Sequence, residues 1–136
     1  MTRGERNNNP GNIREYANDP HWVGERVTDD DAAFEEFDTP EDGIRALAKT
    51  LLAYQRKHGL RTVKKMINRW APPNENDTGA YVDAVAHDMG VLEDTDIDLS
   101  SPSILCSMVR AIIRHENGRV IYSEEQIEDG VDRALA

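Results

Sequence analysis

A mostly helical α+β fold with one small β-hairpin is predicted from three observations. Five segments carry apolar residues at helical spacing between recognisable caps and stops. One short stretch between the first loop and the first long helix reads as a hairpin. The chain has 136 residues, of which 38% are hydrophobic, which suits a single domain over residues 1–136 with one core.

Residues 3–24, RGERNNNPGNIREYANDPHWVG, are rich in Asn, Gly and Pro and read as an ordered loop with one short helix. Residues 24–37 carry Val27, Phe34 and Phe37 on either side of Asp29-Asp30-Asp31, which would supply the hairpin turn. Thr39-Pro40-Glu41-Asp42 then sets a hydroxyl at an N-cap, proline at the first helical position and acids in the first turn. Ile44, Leu47, Ala48, Leu51 and Leu52, with Tyr54 or Gln55, trace one face of that helix, and Gly59 ends it. Thr62 caps a shorter helix with Val63, Met66, Ile67 and Trp70, broken by Pro72-Pro73. Asp77 or Thr78 opens a third, with Tyr81, Val82, Val85 and Met89, closed by Gly90. Ser101-Pro102 starts a fourth, running to about Glu116 and closed by Gly118. Ser123-Glu124-Glu125-Gln126 is a capping box for a fifth.

Charge and cysteine content narrow the chemistry. A net charge of −10 disfavours a phosphate backbone as partner, so no nucleic acid is expected, whereas an uncharged glycan suffers no repulsion. Cys106 is the one cysteine, which forbids an internal disulfide and a thiolate zinc site. It lies in the apolar run Ile104-Leu105-Cys106 and reads as core filling. The four histidines are dispersed, so no metal or cofactor is expected. No apolar run approaches the roughly 20 residues of a membrane span, so no membrane insertion is expected. The start MTRGERNNNPGNIR does not read as a secretory signal.

The fourth helix carries the informative residue. Leu105, Met108, Val109, Ile112 and Ile113 form one stripe, and the next member of that stripe is Glu116. A carboxylate is thus expected on the core-facing side of a helix's last turn. Partial burial and the negative end of the helix dipole both disfavour its charged form there, which suits a general acid. Glu5 and Glu15 rank lower as candidates because they sit in loop sequence with no apolar helix beside them. Cys106 with His115 as an amidase pair is weaker still, since nine helical residues separate them by about 13 Å.

Trp22, Trp70, Tyr16, Tyr54, Tyr81 and Tyr122 offer faces for sugar rings, and asparagine amides suit hydroxyls and acetamides. The polar segment from Trp70 to Thr78 brings a second carboxyl, Glu75, and an amide, Asn76, near the cap of the helix bearing Tyr81. The Asn7-Asn8-Asn9-Pro10-Gly11-Asn12 segment is either a turn or a cleft wall.

The strings RNNNPGNIR (6–14), Trp22 with Gly24, Phe34 with Phe37, TPEDGIRALAKTLLAY (39–54), WAPPNENDTGAYVDAV (70–85) and AIIRHENG (111–118) resemble phage-encoded virion proteins over about residues 3–123. A fainter resemblance is to lysozyme-like glucosaminidases and soluble lytic transglycosylases. In those, a helix ending in Glu-Ser-Gly precedes a loop with an Asn-Ile stretch, a Trp-x-Gly, a hairpin ending in aromatics and a helix opening near Thr-x-Glu. Asn12-Ile13-Arg14, Trp22-Val23-Gly24, Phe34 with Phe37 and Thr39-Pro40-Glu41 follow that order, while the glutamate helix is matched at the other end, by Glu116-Asn117-Gly118. The resemblance therefore implies a circularly permuted lysozyme-like domain, in which Glu116 must lie beside residues 8–13.

That resemblance implies cleavage of the β-1,4 glycosidic bond between amino sugars of bacterial cell-wall peptidoglycan, of the lytic transglycosylase, muramidase or glucosaminidase type. Glu116 would be the general acid and Glu75 would steady the oxocarbenium ion or position water. Asn12, Trp22, Asn76, Thr78 and Tyr81 are expected to line the sugar cleft. The expected location is the host cytoplasm with release to the wall at lysis, or carriage in the virion beside other virion proteins. The alternative is a non-catalytic virion structural protein. An enzyme would keep an open cleft at Glu116, and a docking module would cover that face.

Overall fold

In the computed structural model, which describes residues 1–16 and 21–136, the helices are α1 (Arg3–Arg6), α2 (Pro40–His58), α3 (Val63–Trp70), α4 (Thr78–Met89), α5 (Pro102–Asn117) and α6 (Glu124–Leu135). The loop expected over residues 3–24 falls in part on residues 17–20, which lie outside the described residues.

Local chemistry sets the helix limits. Thr39, Thr62, Asp77 and Ser123 each accept a hydrogen bond from a first-turn backbone N–H, satisfying donors that have no partner within the helix. Ser123 and Gln126 complete the expected capping box, and Thr2 with Glu5 forms another on α1. Ser101 makes no side-chain cap, so Pro102 sets the start of α5 by its fixed backbone angle. Gly118 closes α5 in the left-handed region at φ 80°.

The core is helix on helix. α2 packs most extensively on α6, and α4 on α5, with α3 against α4. Leu105, Met108, Val109, Ile112 and Ile113 of α5 are completely buried beside Leu47, Leu51 and Leu52 of α2 and Val131 of α6. Each such side chain contributes about 1.5–3 kcal/mol over an exposed one. Cys106 is buried in the same cluster, as its apolar neighbours suggest.

Residues 24–37 differ from the expected hairpin. The described residues there form two isolated antiparallel bridges, Arg14 with Phe34 and Glu25 with Phe37, rather than a laddered pair of strands. The difference arises from the acidic run, which is not simply a solvated turn. Asp31 is buried, and its carboxylate accepts two hydrogen bonds of 2.6 Å from Arg3 and one of 2.9 Å from the Asn7 amide. The Arg3 guanidinium holds the Asp31 carboxyl well below the ordinary carboxylate range. Glu36, also buried, accepts from the backbone N–H groups of Asp30 and Asp31. Long-range tethers to the N-terminal segment thus outcompete a local ladder.

The asparagine run is structural. Asn9 is fully buried, donates to the carbonyls of Ile13 and Glu35, and accepts from the Ile13 N–H. The Asn8 amide donates to the Phe37 carbonyl. Gly43 lets this loop lie directly on α2, because a Cβ there would come within 1.8 Å of the Asn8 carbonyl oxygen.

Candidate functional site

The last residue of α5, Asn117, ties that helix to the N-terminal segment. Its amide donates to the carbonyls of Pro10 (2.9 Å) and Ile113 (3.0 Å), while its oxygen accepts from the Thr2 hydroxyl at 2.7 Å. The preceding residue, Glu116, is thereby set against the loop. Asn12 Nδ2 donates to Glu116 Oε1 at 3.1 Å, a contact across 104 positions of sequence. Glu116 therefore lies beside residues 8–13, as the segment order implied.

Glu116 Oε2 accepts from the Tyr81 hydroxyl at 2.7 Å, and that hydroxyl in turn accepts from Trp70 Nε1 at 3.1 Å. Burial pushes the Tyr81 phenol far up, and the adjacent Glu116 carboxylate pushes it further, so this tyrosine stays a donor. The His115 ring stacks on Tyr81, with centroids 3.7 Å apart. Asn12 adopts the left-handed region at φ 51°, and its Oδ1 is buried with no partner among the described residues.

Glu116 lines an open cleft of about 550 Å³. The N-terminal loop region supplies Asn12, Trp22 and Phe34 to its lining, and Trp70, Glu75 and Asn76 come from the end of α3 and the segment after it. A smaller hollow of about 280 Å³ continues on the other side of Glu116 and is lined by Asn76, Asp77, Tyr81 and His115. Among the described residues, the face carrying Glu116 is open.

Of the residues expected at the cleft, Glu116, Glu75, Asn12, Trp22 and Asn76 are brought together on it. Thr78 is not. It is buried, and its hydroxyl donates to the Ala71 carbonyl at 2.5 Å, which fastens the loop between α3 and α4. Tyr81 is 2% exposed and stands behind Glu116 rather than on the main wall, because its ring completes the α4–α5 packing. Of the rival acids, Glu5 is held by Arg119 at 3.2 Å and Glu15 lies off the cleft wall, where burial and nearby carboxylates push its pKa up.

The sequence reading missed Arg14 and Arg69 as cleft residues, and named Tyr54 as a ring for sugars without placing it on the cleft. Tyr54 sits at the edge of the α2 apolar stripe and Arg69 just before Trp70, positions that identify a helix face without saying what faces it.

The chain is 40% identical over 132 residues to Protein P5 of Pseudoalteromonas phage PM2, spanning 96% of this chain and 80% of that protein. It belongs to the Protein P5 family. The P5 relative is a phage protein, in keeping with the phage resemblance of the sequence strings. No family model matches the chain. Among the described residues of this P5-family protein, no helix is long and apolar enough to cross a membrane.

Proposed function

We propose that this protein cleaves the β-1,4 glycosidic bond between amino sugars of peptidoglycan, with Glu116 as general acid, on a lysozyme-like domain in circularly permuted order. The observation that carries this reading is the position of Glu116: half-buried at the end of α5, held by Tyr81 and Asn12, and open to a cleft lined by rings and amides. Cleft rings suit sugar faces, and Asn12 and Asn76 suit hydroxyls and acetamides.

Glu116 protonates the leaving oxygen as the glycosidic bond breaks. Both its oxygens accept hydrogen bonds in the structure, the arrangement of a base. In the acid form the proton takes the place of the Asn12 donor on Oε1, where the leaving oxygen in the cleft accepts it. Glu116 then takes a proton back from water, or from the substrate's own 6-hydroxyl in a transglycosylase. Glu75, exposed on the loop after α3 and lining the same cleft, would steady the oxocarbenium ion or position water. The protein would reach the wall from the host cytoplasm at lysis or within the virion.

A second reading is a non-catalytic virion structural protein, and the likeness to a phage protein supports it more directly than it supports an enzyme. The deciding experiment is turbidity of purified cell walls stripped of outer membrane, with wild type and Glu116→Gln, and products sized by mass spectrometry. Clearing by wild type and loss of clearing in the folded variant is the expected result. Anhydro-muramyl ends identify a transglycosylase and reducing ends a hydrolase. Clearing by neither protein refutes the enzyme and leaves the virion component.

A further inference from the structure

Most arginines of this acidic chain pair with a carboxylate, as Arg3 does with Asp31, Arg110 with Glu124 and Arg133 with Asp129. Arg14 and Arg69 do not. Both line the main cleft, both are exposed, and neither makes an ion pair or a side-chain hydrogen bond among the described residues. Each lies over an aromatic ring of the same cleft: the Arg14 guanidinium is 5.2 Å from the centre of Phe34, a ring that Arg3 also approaches at 4.4 Å, and that of Arg69 is 5.4 Å from the centre of Tyr54. A guanidinium stacked on a ring is fixed in orientation while its N–H edge stays unspent, and that edge matches a carboxylate by two parallel hydrogen bonds. Arg6, Arg45 and Arg56 also lack an ion pair among the described residues, but Arg14 and Arg69 are the two that line the main cleft.

We infer that Arg14 and Arg69 form an anion-recognising part of the cleft, which selects glycan bearing carboxylates over neutral amino-sugar polymer. This rests on the glycan-cleaving reading of the same cleft and adds a substrate class to it. The aromatic and amide surfaces near Glu116 take the sugar rings, and the two arginines take acidic substituents carried on the chain. Glu75 and Glu116 on the same walls, and the net charge of −10, disfavour a polyphosphate, whose charges are far denser than carboxylates spaced along a sugar chain. The stacking rings also set a reason for arginine over lysine, since an ammonium offers neither the plane nor the fork.

The test compares native peptidoglycan with the same material after its carboxyls are converted to amides by carbodiimide and ammonia. Wild type is expected to show a KM about tenfold higher on the amidated walls at low salt. The Arg14→Gln/Arg69→Gln double variant is expected to lose that preference, with KM on native walls raised to the amidated value and kcat within about twofold of wild type. Equal KM on both materials for wild type overturns the inference and leaves the glycosidase reading standing. Should wild type cleave neither material, the glycosidase reading fails and co-sedimentation with the two wall preparations decides the arginines. Retention of wild type on native walls only, lost in the double variant, upholds anion recognition. Equal retention, or none, means that the arginines serve only to cover the two rings.

Discussion

Asn117 is the residue whose loss should reach furthest, because two of its three hydrogen bonds join the N-terminal segment to α5. Replacing it with alanine removes the donor to the Pro10 carbonyl and the acceptor for the Thr2 hydroxyl. Pro10 is buried, and no other hydrogen bond reaches its carbonyl among the described residues, so that oxygen is left unsatisfied. The Ile113 carbonyl belongs to the α5 ladder and is the least affected. One orphaned buried carbonyl and one weakened hydroxyl bond together cost about 2–4 kcal/mol. A domain of this size then melts roughly 8–15 °C lower. Urea unfolding followed by circular dichroism gives the free energy, and amide hydrogen exchange shows where it is lost. The expected pattern is faster exchange at residues 9–13, with the α2 core exchanging only as fast as global unfolding allows. Asn117→Asp sharpens the test: it keeps an acceptor for Thr2 but sets a carboxylate against the Pro10 carbonyl, so near neutral pH it should destabilise more than alanine. A loss below about 1 kcal/mol in Asn117→Ala, with exchange at residues 9–13 unchanged, would refute the idea that this side chain holds the loop to α5.

Three further outcomes follow from the geometry. Tyr81→Phe removes the donor to Glu116 Oε2 and the acceptor for Trp70 Nε1 and should cost about 1–2 kcal/mol in urea unfolding; wall clearing should fall about tenfold, and an undiminished rate would remove Tyr81 from the positioning of Glu116. Asp31 is held low by Arg3, and Asp98 is held down to about 2 by the Ser100 hydroxyl and backbone N–H and by Gln55. A depressed folded pKa gives stability that is present above the ordinary carboxylate value of about 3.9 and lost as pH falls below it. The melting difference between wild type and Arg3→Gln should therefore be constant above about pH 5 and shrink toward pH 3; a gap that stays constant on acidification would contradict the assignment. Gly43→Ala should cost about 3 kcal/mol or more by thermal melting, since its Cβ meets the backbone of Asn8 rather than a movable side chain, and a near-neutral result would mean that the loop does not lie on α2 as described.

The helices were legible because their determinants are local. Thr39, Thr62 and Ser123 cap within three residues of themselves, Gly59, Gly90 and Gly118 end helices by their own backbone freedom, and the stripe from Leu105 to Ile113 points to a buried face whatever it packs against. The same periodicity placed Glu116 at the end of that stripe, and the order of segments anticipated its neighbour Asn12. Residues 24–37 and Thr78 were misread because their fate depends on distant groups. Asp31 is drawn inward by Arg3 and Asn7, more than twenty positions away, and the Thr78 hydroxyl is taken by a carbonyl that only the loop's path brings near. The aromatic support under Arg14 and Arg69 was invisible for the same reason, since Phe34 and Tyr54 lie on other elements. Sequence alone determined which segments are helical and which face of each is apolar, since hydrogen bonds within a few residues and burial periodicity settle both. Tertiary structure decided which polar side chains meet. An amide or carboxylate forms its bonds with whatever the packed backbone brings within about 3 Å, and that distance bears no relation to separation along the chain.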